Sequence, residues 1–374
     1  MTFESFALDQ TVLDALRAIE YTKATSIQEK TIPLVLAGHD IIATAETGSG
    51  KTAACAIPVC SLIDKSEKRI QALIVVPTRE LALQYATETQ KIGKVKNVKT
   101  FAIFGGEDMG LQLAKLKDGV DVLVATPGRL IDLIYSRRID LTGVKILVLD
   151  EADQMLSMGF IEDLEFIMDC LVQTHQVLLF SATMPKEIQN IAVTRMKNPR
   201  EIRLIGDKPA PDKLEHKFIF CPNPHKKMDE LAKLLSELPI KQCIIFGNAR
   251  HEVEKLCDQL KNRYGPMDFL HGGLDQKMRT AITGKFARGK TKFLVASDVA
   301  ARGLDFSNVT HVINLHFPRD QESYMHRSGR TGRIGEKGTC ITLVTKRDFP
   351  AIKRLVHYLQ KKEPEWLGNP PKDY

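Results

Sequence analysis

The sequence predicts an α/β protein of two tandem domains, each a doubly wound, mostly parallel sheet flanked by helices. Three observations point there. The chain has 374 residues, more than one domain at roughly 100–200 residues each. Short runs rich in Val, Ile and Leu alternate with helical patterns in both halves, and such runs read as parallel strands buried on both faces. The runs end repeatedly on Thr, Ser, Asp or Glu, and ligands of open α/β sheets bind beyond the carboxyl ends of the strands.

In chain order the first-half strands are DIIAT (40–44), ALIVVPT (72–78), VDVLVAT (120–126), KILVLDE (145–151) and VLLFSAT (177–183). Those of the second half are QCIIFGN (242–248), KFLVASD (292–298), THVINLH (310–316) and GTCITLV (338–344). Between the halves, IGDKPAPDK has two prolines, a glycine and no apolar period, the marks of a linker. The expected division is therefore a first domain over 1–205, a linker over 206–213 and a second domain over 214–374. Near the C-terminus, Ile352, Leu355, Val356 and Leu359 in FPAIKRLVHYLQKKEPEW fall at helical spacing and predict an amphipathic helix with a basic face.

The net charge is +7, unevenly spread. Residues 1–213 carry 25 Lys and Arg against 28 Asp and Glu, whereas residues 214–374 carry 28 against 18. A basic second half suits a polyanion-binding surface. The seven cysteines include no C-x-x-C pair, so no zinc or redox site is signalled, and their odd number fits a reducing, cytoplasmic compartment. The N-terminus lacks the pattern of a secretory signal, and no apolar run approaches the ~18 residues of a membrane span.

Two stretches carry chemistry. ATAETGSGKT (43–52) follows the strand DIIAT and would open a helix. In such a loop Thr47, Gly48, Ser49 and Gly50 turn backbone N–H groups towards phosphates at a helix N-terminus. Lys51 would reach the β- and γ-phosphates, and the Thr52 hydroxyl would ligate Mg²⁺. The strict pattern has Gly where this chain has Ala45. The second stretch, VLDEADQML, ends an apolar run on Asp150, Glu151 and Asp153. Beside a phosphate cradle, Asp150 would hold Mg²⁺ through water, and Glu151 would orient and deprotonate the attacking water.

AETGSGKT, PTRELA, TPGR, DEAD, SAT, ASDVAARGLD and HRSGRTGR occur in that order and resemble the motifs of the DEAD-box ATP-dependent RNA helicases. The resemblance runs from Phe3 to about residue 345. It implies two RecA-like domains, ATP and Mg²⁺, and RNA gripped by both domains. Adenine would be read by Gln28, with Thr25 before it and Phe3 as a distant aromatic; Tyr21 would stack on the base where the family usually has Phe after Gly. Glu46 stands where Gln is usual and receives no role. Arg330 and Arg333 resemble arginine fingers for the γ-phosphate, His326 would link their motif to it or to the DEAD and SAT segments, and Asp305 would contact the ribose. RNA contacts would come from Pro77, Thr78 and Arg79, from Gly105 and Gly106, and from Thr126 and Arg129 in the first domain. In the second they would come from Arg250, Gly273, Gln276, Arg279, Ser297 and Arg302. Ser181 and Thr183 would couple the ATP state to unwinding. The chain is thus expected to be an RNA-stimulated ATPase and helicase, a monomer with protein partners for targeting and no membrane. The alternatives are an RNA clamp or scaffold and a DNA translocase of the wider superfamily.

Overall fold

The computed structural model describes residues 1–45, 48–204, 214–298, 306, 308–332, 337–359, 361, 363–372 and 374, the side chains of Gln276 and Glu322 excepted. Two compact units divide the chain, Met1–Asp207 and Lys208–Tyr374; the expected linker lies outside the described residues.

The first unit is built on seven parallel strands: β1 (Ile41–Thr44), β2 (Ala72–Val75), β3 (Thr100–Ile103), β4 (Val122–Ala125), β5 (Ile146–Leu149), β6 (Gln176–Ser181) and β7 (Arg200–Arg203). Their order is β3-β4-β2-β5-β6-β1-β7. The second unit has β8 (Leu214–Phe220), β9 (Cys243–Phe246), β10 (Met267–Leu270), β11 (Phe293–Ala296), β12 (His311–Asn314), β13 (Gly338–Val344) and β14 (Glu365–Trp366), ordered β10-β11-β9-β12-β13-β8-β14. Adding seven to each strand number of the first sheet reproduces the second.

Apolar residues fill both faces of each sheet because helices cover both. In β2, Ala72 and Ile74 enter one core while Leu73 and Val75 enter the other. In β9, Ile244 and Phe246 part from Cys243 and Ile245 in the same way. Continuous apolar strands are the sequence mark of that double burial.

All nine expected strands are present. Five more are found: β3, β7, β8, β10 and β14. Four of these flank their sheets; in β7 only Ile202 is buried and in β10 only Leu270, so their apolar signal is thin, whereas β3 buries three of its four residues. β8 lies inside its sheet, but Glu215, His216 and Lys217 interrupt its run. The C-terminal helix spans Phe349–Tyr358 and buries Ile352, Leu355 and Val356. It stops short of the expected KKEPEW segment, whose Pro364 has no N–H to continue a helix. Beyond it Trp366 joins β14, and Tyr374 packs edge-on against both Phe349 and Trp366 at 5.2 Å.

Each unit is pinned by buried polar groups at the strand ends. Asp40, ahead of β1, accepts the Val177 N–H at 2.9 Å and the Lys197 N–H at 2.6 Å. In the second unit Lys227, first residue of the helix after β8, turns inward and donates to the carbonyls of Leu315 (3.0 Å) and Leu343 (2.7 Å). Replacing Asp40 by Ala strands two backbone donors where β6 and β7 meet β1. We expect Asp40→Ala to cost about 3 kcal/mol, read as a lowered urea midpoint of the first unit's transition in the full chain; a shift within error would show that water replaces the carboxylate.

Candidate active site and nucleic-acid interface

The carboxyl edge of the first sheet is divided by strand order. Loops after β1, β5 and β6 carry the phosphate cradle, the DEAD segment and the SAT segment. Loops after β3, β4 and β2 carry Gly105-Gly106, Thr126-Arg129 and Pro77-Arg79. Nucleotide and RNA candidates therefore occupy opposite ends of one sheet edge, and β2 and β5 meet at the boundary. In the second unit, loops after β9, β10 and β11 hold Arg250, Gly273 and Ser297, while His326 and Arg330 follow β12.

Gly48 (φ 84°) and Gly50 (φ 97°) adopt the left-handed conformation that glycine tolerates. A Cβ on Gly50 would stand 2.8 Å from Gln28 Nε2. Gln28 braces this turn: its Nε2 donates to the Gly50 carbonyl at 3.3 Å, and its Oε1 accepts the Thr25 N–H at 2.9 Å. Lys51 opens the helix Lys51–Leu62. Its Nζ does not project from the loop but donates to the Ala45 carbonyl at 2.8 Å, so it must leave that oxygen to meet a phosphate. Tyr21 stacks on Phe3 with centroids 6.4 Å apart, and its hydroxyl donates to Glu88. Burial first, then Glu88, pushes that phenol well above its ordinary range.

Asp150 is buried, and both its oxygens have donors. The Glu151 N–H reaches Oδ1 at 2.8 Å, and the Tyr85 hydroxyl reaches Oδ2 at 2.7 Å. Burial, then the Asp150 charge, raises the Tyr85 phenol far above its usual range and keeps it a donor. Glu151 itself sits at φ 53°, ψ 48°, a left-handed conformation rare for a non-glycine residue and one that marks functional sites when the surroundings hold it. Ser181 and Thr183 meet the acidic segment through Asp153. Asp153 Oδ2 accepts from the N–H groups of Ala182 (3.1 Å) and Thr183 (2.7 Å) and from the Thr183 hydroxyl (3.0 Å); the Asp153 N–H donates to Ser181 Oγ at 3.2 Å.

At the other end of this edge, Thr78 caps the helix Arg79–Ile92 by accepting the Leu81 N–H. Arg79 lies over the Phe104 ring at 4.4 Å and pairs with the Glu107 carboxylate. Arg129 donates to the Glu107 carbonyl at 2.9 Å. Two arginines from different helices thus converge on Glu107, beside the exposed Gly105 and Gly106. Pro77 is buried, so its ring serves the turn rather than the surface.

In the second unit Arg250 approaches Gly273, where an added Cβ would stand 3.1 Å from Arg250 Nη1. Ser297 is nearly buried, its N–H on the Leu270 carbonyl at 3.0 Å. Arg330 Nε donates to the His326 carbonyl at 3.0 Å. The organiser here is Arg327, which is 2% exposed. It forms a two-pronged pair with Asp298 and donates to Asn248 Oδ1 at 3.0 Å and Asn314 Oδ1 at 3.3 Å. The Asn248 N–H donates to Glu252 Oε2 at 2.6 Å, and Glu252 Oε1 meets His316 Nε2 at 2.6 Å. The segments bearing Arg250, Ser297 and Arg330 are thereby joined through side chains.

Thr47, Asp305, Arg302 and Arg333, with Glu46, lie outside the described residues, as does the side chain of Gln276. The sequence alone assigns no role to Asp153, Tyr85, Glu107, Arg327 or Asp298. Asp153, Arg327 and Asp298 stand inside the DEAD, HRSGRTGR and ASDVAARGLD motifs. Tyr85 and Glu107 give no such signal.

Comparison with known proteins identifies the family and the fold. Residues 25–191 match the DEAD/DEAH box helicase family and residues 226–335 the helicase conserved C-terminal domain. The DEAD-box ATP-dependent RNA helicase CshA of Bacillus licheniformis is 42% identical over 97% of this chain and 74% of its own length. S. cerevisiae Dbp5 bound to RNA and ADP BeF3 superposes with a TM-score of 0.89 at 29% identity, covering 98% of this chain and 95% of that one. Mss116p bound to ssRNA and AMP-PNP gives 0.86 at 31% identity, over 98% and 78%.

The bond from His316 holds Glu252 at about 2, against an ordinary value of 4.5. A depressed carboxylate contributes stability that is complete above 4.5 and is lost as the pH falls towards 2. With the pair partly open to solvent, which screens it, the second unit should lose about 1–2 kcal/mol over that window from this group. Glu252→Gln should flatten that part of the acid-unfolding profile; an unchanged profile would remove Glu252 as its source.

Proposed function

The chain belongs to the DEAD-box ATP-dependent RNA helicases, and from that premise we propose how its own residues divide the work. One observation carries the assignment: the glycine-lined cradle and the buried Asp150 carboxylate stand at the ends of β1 and β5, with the SAT segment between them on β6. The donor set fits a metal–nucleotide: a hydroxyl at Thr52, a buried carboxylate whose two donors leave further lone pairs free, and a lysine already held inside the loop. Thr52 and, through water, Asp150 would hold Mg²⁺, which supplies positive charge against the phosphate oxygens.

In this scheme Lys51 exchanges the Ala45 carbonyl for the β- and γ-phosphates, within the N–H groups of Gly48, Ser49 and Gly50 and of Thr47. Gln28 has one amide hydrogen left for adenine, and Tyr21 lies alongside. Glu151 takes a proton from the attacking water, its position fixed by the left-handed backbone. Arg330 and Arg333 stabilise charge on the γ-phosphate, His326 links their motif to it, and Asp305 meets the ribose. RNA lies on Thr78, Arg79, Gly105, Gly106, Thr126 and Arg129, and on Arg250, Gly273, Gln276, Arg279, Ser297 and Arg302. Pro77 keeps the Thr78 turn in shape. These groups address phosphate and 2′-OH rather than base edges, which suits action on many sequences. Asp153, with Ser181 and Thr183, transmits the nucleotide state. ATP and RNA then favour each other's binding reciprocally, and bending one strand opens a short duplex. The protein acts as a cytoplasmic monomer whose RNA targets are chosen by protein partners; seven free cysteines, six of them buried, suit a reducing compartment.

Steady-state ATP hydrolysis without nucleic acid, with RNA and with DNA of the same sequence tests this. We expect about tenfold or greater stimulation by RNA alone, abolished in Glu151→Gln. Equal stimulation by DNA would favour the translocase, and RNA binding without turnover would favour the clamp.

Glu107 offers a second test, because its carboxylate occupies Arg79 where an RNA phosphate would compete. Glu107→Gln should tighten single-stranded RNA binding about threefold to tenfold at low salt, the gain shrinking as salt rises. Weaker binding would mean that Glu107 orients Arg79 rather than masking it.

A further inference from the structure

We propose that Tyr85 is a positioning residue for the metal–nucleotide site. Its hydroxyl fixes the Asp150 carboxylate and ties the helix that begins at Arg79 to the phosphate-binding helix. This rests on the assignment of Asp150 to the nucleotide's metal.

A phenol is costly at this place. Tyr85 is fully buried, on the face of the helix Arg79–Ile92 that also buries Leu81, Ala82, Ala86 and Ile92. A phenylalanine would fill nearly the same space without a polar atom to satisfy. A buried hydroxyl is tolerated only when it is hydrogen-bonded, and this one has two neighbours, Asp150 Oδ2 at 2.7 Å and Cys55 Sγ at 3.6 Å. The first is the carboxylate with which the DEAD segment begins. The second lies in the helix Lys51–Leu62, one turn beyond Lys51 and Thr52.

The effect on Asp150 follows from its donors. With the Glu151 N–H on Oδ1 and the Tyr85 O–H on Oδ2, the carboxylate plane is fixed from both sides. Carboxylates that serve metals are held by such outer partners, and losing one typically costs roughly 10–100-fold in metal affinity or activity.

The same helix also carries the RNA candidates. Thr78 caps it and Arg79 is its first residue. Tyr85 follows six residues later, about 9 Å along the axis. Any displacement of the helix start by RNA is carried rigidly to the hydroxyl on Asp150. The bond lies where β2 and β5 adjoin, at the boundary between the RNA and nucleotide ends of the sheet edge.

Equilibrium binding of fluorescent ADP to the full chain, in Mg²⁺ and in EDTA, with and without a single-stranded RNA oligonucleotide, tests the proposal. Tyr85→Phe keeps the ring. We expect it to weaken binding about tenfold in Mg²⁺, to leave binding in EDTA unchanged, and to reduce the RNA-induced tightening at least threefold. Asp150→Asn should remove the same Mg²⁺ increment, with Tyr85→Phe adding nothing in that background. If Tyr85→Phe fails to fold, 3-fluorotyrosine at position 85 alters the donor alone and must shift the Mg²⁺ increment only. Equal weakening in Mg²⁺ and EDTA, or none in either, would reduce Tyr85 to packing and overturn the proposal. If Asp150→Asn itself leaves the increment intact, the assignment of Asp150 falls and the proposal with it; if Asp150→Asn removes it and Tyr85→Phe does not, the role of Tyr85 alone falls.

Discussion

A parallel sheet covered on both faces has nowhere to put polar chemistry except at its strand ends. The helices that return the chain from one strand to the next cover each face, and the strands between them become continuous apolar runs such as Leu147–Leu149. All strands in a sheet point the same way, so their carboxyl ends form one edge. The first unit's candidate motifs that follow a strand are found there, and Gln28 reaches the same edge from the helix ahead of β1. Strand order then decides which chemistry sits beside which.

What stiffens that edge is a small number of buried polar groups with several partners each. Asp153 gathers three donors from the SAT segment, so the acidic and SAT loops move as one piece. Arg327 gathers Asp298, Asn248 and Asn314, which joins the loops after β9 and β11 to the end of β12. Such networks are worth having only when nearly every member is satisfied, and here the carboxylate and amide oxygens of Asp153, Asp298, Asn248 and Asn314 all meet donors. Loops of this kind can pass a change at a bound phosphate to a neighbouring surface without an element of the sheet having to deform.

The parts legible in the sequence are those where chemistry restricts residue type. A phosphate cradle needs glycines, a lysine and a hydroxyl in sequence, and an acid must follow a neighbouring strand. Both stretches are recognisable from residue type and spacing alone, as are strands buried on two faces. Strands at the sheet margins are not, because β7 and β10 bury too little to carry a period, and β8 hides its place in the sheet behind Glu215, His216 and Lys217. Tyr85 reads in sequence as one more aromatic at helical spacing; only packing brings its hydroxyl to Asp150. Glu107 reads as a loop acid, and only the convergence of Arg79 and Arg129 gives it meaning.

The repeated strand order has a consequence for stoichiometry. In each unit a lysine is the first residue of the helix after the first strand: Lys51 after β1 and Lys227 after β8. Around Lys51 the loop is glycine-rich and the ammonium lies within it. Before Lys227 the loop reads CPNPHK, with two prolines that lack N–H groups and no glycine, and the lysine is turned into the core to hold Leu315 and Leu343. Among the described residues, the repeated framework thus sets one lysine inside a glycine-rich loop and turns its counterpart into a structural strut, so the function proposed above implies one nucleotide per molecule rather than two.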